Sequence, residues 1–138
     1  MIRGKLLGAD AMRKKLKDIA AKFPDRVAAA IFSEAQIEMT EAKRRCPVSP
    51  TPAPKGVVPG TMRASGTVHE PERSGRSISV PMSFGGAAAD YVVPQHENPD
   101  YFHTTGEYKW LEKTLNESRP HMAGRIARRV DLNKMRDV

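Results

Sequence analysis

Side chains able to do acid–base or metal chemistry are densest between Tyr91 and Leu115, in YVVPQHENPDYFHTTGEYKWLEKTL, where His96, Glu97, Asp100 and His103 lie close together. Imidazoles and carboxylates in a loop are the donors from which zinc and nuclease sites are built. The spacing fits none of them. There is no HExxH helix, no paired CxxC, no glycine-rich phosphate loop and no GxSxG elbow. The structural role open to His96 and Glu97 is to hydrogen-bond or ion-pair, holding their loop against the domain or a neighbour, worth about 1 kcal/mol at a partly exposed site. Cys46, the single cysteine, ends an apolar stripe with no histidine nearby in sequence, so it reads as a small buried residue rather than a nucleophile. No catalytic residue, metal ligand or cofactor is expected, and the chain reads as non-enzymatic.

The elements that position this stretch can be read from periodicity. A short apolar start (Ile2, Leu6, Leu7) suits an edge strand, and Met12, Leu16, Ile19, Ala20 and Phe23 predict a first helix from about Asp10. Pro24 suits the first position of a second helix, where its missing amide hydrogen costs nothing. Ala28, Ile31, Phe32, Ala35, Met39, Ala42 and Cys46 then keep one face for five turns, with Glu34, Glu38, Glu41, Lys43 and Arg44 expected mostly outside it. Pro47, Pro50, Pro52, Pro54 and Pro59 break any helix and give an extended, partly stiff arm over residues 47–60.

Beyond Gly60 the pattern turns to strands. Ala64–His69 is a short one, Glu72–Gly75 a loop, and Arg76–Phe84 alternates, with Ile78, Val80, Met82 and Phe84 expected inside and Ser77, Ser79, Pro81 and Ser83 wet. Pro81 cannot donate to a ladder, which places this strand at an edge or at a bulge. Gly85-Gly86 suits a tight turn, and Asp90–Val93 reads equally as a further strand or a helical turn. Thr104 and Glu107 have the spacing of a capping box, predicting helix onset near Thr105. Trp110, Leu111, Thr114 and Leu115 mark its buried side, and Pro120 is expected to end or kink it. In the last helical pattern Met122, Ala123, Ile126, Ala127 and Val130 form the apolar face, and Arg125, Arg128 and Arg129 a basic ridge pointing elsewhere.

The 138 residues suit a single domain, of α+β class: a small antiparallel sheet packed by a long helix and further helices, with the proline-rich arm at 47–60 and a basic helical segment at 119–138. One cysteine excludes an intrachain disulfide, and no apolar run approaches the roughly 20 residues that span a bilayer, so a soluble, cytosolic chain is expected. The net charge is +7 and unevenly placed. Residues 1–26 carry eight Lys/Arg against three acids and 119–138 carry six against two, while 71–118 carry four against seven. That asymmetry suits either a polyanion or head-to-tail packing of basic and acidic faces between copies. The aromatics lie in the acidic part and the arginines at the ends, which disfavours a single-strand stacking platform but not backbone attraction to DNA.

The succession of segments resembles the neck, head–tail connector and tail-completion proteins of long-tailed phages, often labelled minor capsid or tail component. Carrying the resemblance are Ala42-Lys43 and Cys46-Pro47-Val48 ending a long helix, Gly60-Thr61-Met62-Arg63-Ala64-Ser65 opening the sheet, Tyr91 with His96-Glu97, and Gly106 followed by Lys109-Trp110-Leu111-Glu112. It covers most of the chain from about Gly8 to Leu115. The insertion Pro50–Pro59 departs from the compact join of the family, and the segment after Pro120 is not carried by the resemblance. What it implies is a structural virion protein forming a homo-oligomeric ring at the head–tail junction around the DNA channel, made in the host cytoplasm. Implied partners are itself, head-closure proteins and tail-tube or terminator proteins, with sequence-independent contact to double-stranded DNA and no membrane. A tail terminator and a basic DNA-binding protein are the alternatives. Candidate subunit-interface residues are Pro50, Pro52, Pro54, Val57, Val58, His96 and Glu97; Arg125, Arg128 and Arg129 are candidates for meeting a neighbour or DNA.

Overall fold

A computed structural model describes residues 2–6, 22–49, 52–53, 55, 57–75, 77–100 and 106–130. The helix expected from about Asp10, together with Pro50, Pro54, His103 and Thr104, lies outside the described residues. The fold is α+β, with a small antiparallel sheet and several helices, one of them long.

Helix α1, Pro24–Arg45, starts with proline at its first turn and ends at Cys46, whose N–H donates to the Ala42 and Lys43 carbonyls at 2.9 and 3.2 Å. Asp25 in its first turn and Lys43, Arg44 and Arg45 in its last are charges of the sign each helix end favours. Its apolar stripe is buried as expected except at Phe32, which is partly buried, with Ala35, Ala42 and Cys46 fully enclosed. The expectation for its acids is overturned at two places: Glu34 and Glu38 are buried, at 0% and 2% exposure.

Strand β4, Ser77–Phe84, is the centre of the sheet rather than an edge. On one side it pairs antiparallel with β1, Ile2–Leu6; on the other with β2, Thr67–Val68, and then β3, Glu72–Ser74. Val68 faces Met82 and Glu72 faces Ser79, so residues 69–71 oppose only Val80 and Pro81. That is a bulge, the second alternative that Pro81 allowed. Pro81 still accepts from the His69 N–H at 2.8 Å, and the bond it cannot donate falls where β2 gives way to β3. The expected loop at Glu72–Gly75 is thus a hairpin strand, turning through Gly75 at φ +59°. The expected alternation of β4 gives way to burial that deepens along the strand, from exposed Ser77 through partly buried Ile78 and Ser79. Pro81 and Ser83 are buried along with Val80, Met82 and Phe84.

Ala64 closes a short helix, α2 (Thr61–Ala64), instead of opening a strand. After Phe84 a 3₁₀ turn, Gly86–Ala88, leads into α3, Ala89–Glu97, which decides the ambiguity at Asp90–Val93 in favour of helix. Helix α4, Trp110–Val130, starts later than the predicted capping box and continues through Pro120 instead of ending there. Residues 106–109 are held by other bonds, with Gly106 at φ +88° and Lys109 at φ +53°, outside helical geometry. Helix α1 packs against both β4 and α4. Arg45 meets Glu117, Arg125 meets Glu38 and Arg129 meets Glu34, so α1 and α4 run antiparallel in a steady register.

Candidate functional site

Around the end of α1 the segments that carry the family resemblance converge on one another. The Arg63 guanidinium of α2 donates to the Cys46 carbonyl at 2.9 Å, satisfying a carbonyl left free past the helix end. Ser65 Oγ donates to the Met62 carbonyl at 2.6 Å and accepts the Gly85 N–H at 3.1 Å, tying α2 to the exit of β4. A Cβ on Gly106 would sit 2.6 Å from the Arg45 carbonyl oxygen and 2.6 Å from Pro47 N, so only glycine admits this approach of backbone to backbone. Next to it the Glu107 N–H donates to the Arg45 carbonyl at 3.0 Å, and the Lys109 N–H to the His96 carbonyl at 2.7 Å.

These bonds seat Trp110, which is fully buried. Its ring meets Phe84 edge-on at 5.6 Å and the His96 ring edge-on at 4.7 Å. His96 is thus placed at the end of α3, 2% exposed, with Nδ1 2.7 Å from Glu97 Oε1. The hydrogen bond from His96 holds the Glu97 carboxyl below its ordinary range, and Lys109 adds to it from 3.5 Å. His96 therefore locks α3 to α4 and offers almost no surface, whereas Glu97 is half exposed. Asp100 is exposed in a turn closed by its own N–H to Asn98 Oδ1, and among the described residues no three His, Cys, Asp or Glu side chains gather to hold a metal ion. Burial pushes the Cys46 thiol up to about 12, against the nucleophilic thiolate form.

Of the arm candidates, Pro52 is exposed, Val57 is half-buried and Val58 is 68% exposed. Val58 is held there by a turn in which Thr61 N–H donates to its carbonyl at 3.1 Å, with Gly60 at φ +85°. The basic ridge is corrected. Arg125 and Arg129 turn inward to α1, and among the described residues Arg128 alone of the three is exposed with no ion-pair partner. Arg125 reaches Glu34 at 2.7 Å and Glu38 at 3.0 Å, while Arg129 pairs with the other Glu34 oxygen. Burial works to raise the Glu34 carboxyl, but hydrogen bonds from Arg125 and Arg129 outweigh it and the group is held low. At Glu38 burial prevails over a hydrogen bond from Ser118, with the neighbouring Glu34 adding to it, and the carboxyl is raised.

Two constellations escaped the reading of the sequence. The ion cluster had a signal: acids four apart in α1 (Glu34, Glu38) and arginines four apart in α4 (Arg125, Arg129) share the spacing of one helical face. The other, His69 Nε2 at 2.6 Å from Ser83 Oγ, comes together only through strand pairing. It has the composition of a base and a nucleophile, yet Ser83 is 4% exposed in the central strand, so the bond fastens the bulge and offers no oxygen to a substrate.

The chain matches no protein-family model, no curated protein and no solved structure. Among the described residues no helix is long and apolar enough to cross a membrane.

Proposed function

We propose that the chain is a structural virion subunit that assembles into a ring at the phage head–tail junction, as a neck or tail-completion protein around the DNA channel. What supports this reading is that the dispersed residues bearing the resemblance, from Cys46 and Arg63 to His96, Gly106 and Trp110, are contacts of one junction. Such residues fix a shape rather than perform a reaction. The surface left for assembly includes Val58 at the end of the arm, Val93 on α3 and Ile37 on α1, at 68%, 39% and 52% exposure. Contact with DNA falls to Arg128 among the three arginines, because the other two are held by glutamates.

Native mass measurement and negative-stain imaging of the purified protein test this. A closed ring with a single copy number and a central opening is expected. A monomer at all accessible concentrations, alone and with head-closure and tail-tube proteins, would count against it.

A further inference from the structure

We propose that the last turns of α4, residues 121–130, are exchanged between copies of this chain, each docking on α1 of a neighbour as it docks on its own α1. The proposal rests on the ring reading for its choice of neighbour and names the contact that would join subunits. Three observations lead to it. Pro120 has no N–H for the Asn116 carbonyl, so the helical ladder lacks a bond there, and the residue is exposed. Helices yield at such points, and hinges are a few residues that absorb a change of backbone angle.

The two sides of Pro120 are also attached separately. Before it, Trp110, Leu111 and Thr114 are buried in the junction and Glu117 pairs with Arg45. After it, Met122, Ala123, Ile126 and Val130 are buried, and Arg125 and Arg129 enter the carboxylates of α1.

Finally, the receiving face is specific. Glu34 and Glu38 are buried acids one turn apart, and without cations they would be like charges facing an apolar surface. A swung-out segment leaves a face that only two guanidinium groups four residues apart on an apolar-sided helix would complement. That is the chemistry of the same segment in another copy. Exchange of an identical element is a low-cost route to association, and head-to-tail exchange closes into a ring when successive rotations complete a turn.

Charge exchange tests it. One variant carries Glu34→Arg with Glu38→Arg, the other Arg125→Glu with Arg129→Glu, and each alone places like charges across its own contact. Mixed in equal amounts, they are expected to give complexes containing both masses by native mass spectrometry, since each segment then finds its opposite on the other chain. Absence of mixed species from two folded variants overturns the proposal. Should either variant fail to fold, hydrogen exchange on the wild-type chain decides alone. The amides of 121–130 are expected to exchange together and at least tenfold faster than those of 111–119, a gap that narrows in Pro120→Ala. Equal protection on both sides of Pro120, unchanged in that variant, overturns it. Rings without mixed species leave the ring reading standing and remove the exchange; mixed species without rings do the reverse.

Discussion

Glu34 and Glu38 show what a buried charge requires of its surroundings. Each is removed from water, which opposes ionisation, and the two differ in how much cation they receive. Two arginines hydrogen-bond Glu34, whereas Glu38 shares Arg125 and has Glu34 beside it. Arg125→Met keeps the stem and removes the charge serving both acids, leaving Glu38 with no cation at hydrogen-bonding distance among the described residues. A loss of about 2–3 kcal/mol is expected by chemical denaturation at neutral pH, at the low end for a broken buried pair because the Arg125 side chain is 30% exposed. Arg129→Met removes one of two cations from Glu34 alone and is expected to cost about 1 kcal/mol. The pH dependence has two opposed parts. Glu34, lowered in the fold, contributes stability that is present above its unfolded pKa and lost as pH falls through its folded pKa; Glu38, raised, contributes below its unfolded pKa and loses that as pH rises through its folded pKa. The penalty of Arg125→Met should therefore shrink on acidification, as Glu38 takes up a proton. A penalty that does not shrink in acid would show that the loss does not come from the charges of Glu34 and Glu38.

At the scale of elements the glycines separate local from tertiary demands. Gly75 and Gly106 both have positive φ, but a Cβ at Gly75 meets open space while one at Gly106 meets the backbone of Arg45 and Pro47. Gly75→Ala is expected to cost about 1 kcal/mol, the left-handed conformation alone, and Gly106→Ala upwards of about 3 kcal/mol, since α4 must move off the end of α1. Thermal unfolding of the two variants side by side checks this; equal losses would mean that the close approach at Gly106 does not bear on stability. The same contrast explains what the sequence made legible. Helix α1 announces itself because its burial repeats with the period of the helix, and Pro24 marks its own start; β4 was legible from its alternating residue types, although its second half is buried on both faces. Pro120 reads as an end or a kink because its local cost is visible, while the buried stripe of Met122, Ile126 and Val130 that carries the helix on has no partner in the sequence pattern. Helix α4 begins at Trp110 because the amides of Glu107 and Lys109 go to carbonyls far along the chain, at Arg45 and His96. Glu34 and Glu38 were placed outside by the rule that charges face water, which fails where a second helix brings guanidinium groups. At the site, Val58 and Glu97 are exposed where a neighbour could reach them, and the burial of His96 follows from its packing on Trp110, which the local pattern put on a buried side but not against His96.

For the whole molecule, the proposed ring requires a surface on which copies meet. Buried area and the pairing of Arg125 and Arg129 occupy the inner faces of α1 and α4, so beyond the proposed exchange of 121–130 a ring would draw its further contacts from side chains that folding leaves uncovered. Val58 is the most exposed large apolar residue described, held in a turn whose hydrogen bond joins main-chain atoms of Val58 and Thr61. Its side chain therefore adds little to the fold, and a branched apolar group kept in water at a fixed place is the kind that contributes to an interface core. Val58→Asp is expected to change the unfolding free energy by less than about 0.5 kcal/mol, as for exposed substitutions generally. Its effect on association should be much larger, because an acid buried at a contact without a partner costs far more than the lost methyl groups. Ile37→Asp on α1 provides the comparison, exposed to 52% but on a helix rather than at the arm. Sedimentation velocity at matched concentrations, beside denaturation of each variant, measures both quantities. Loss of the ring in Val58→Asp with unchanged stability places the arm at the subunit contact; loss in Ile37→Asp alone places it on α1, and rings intact in both exclude these two side chains from the interface.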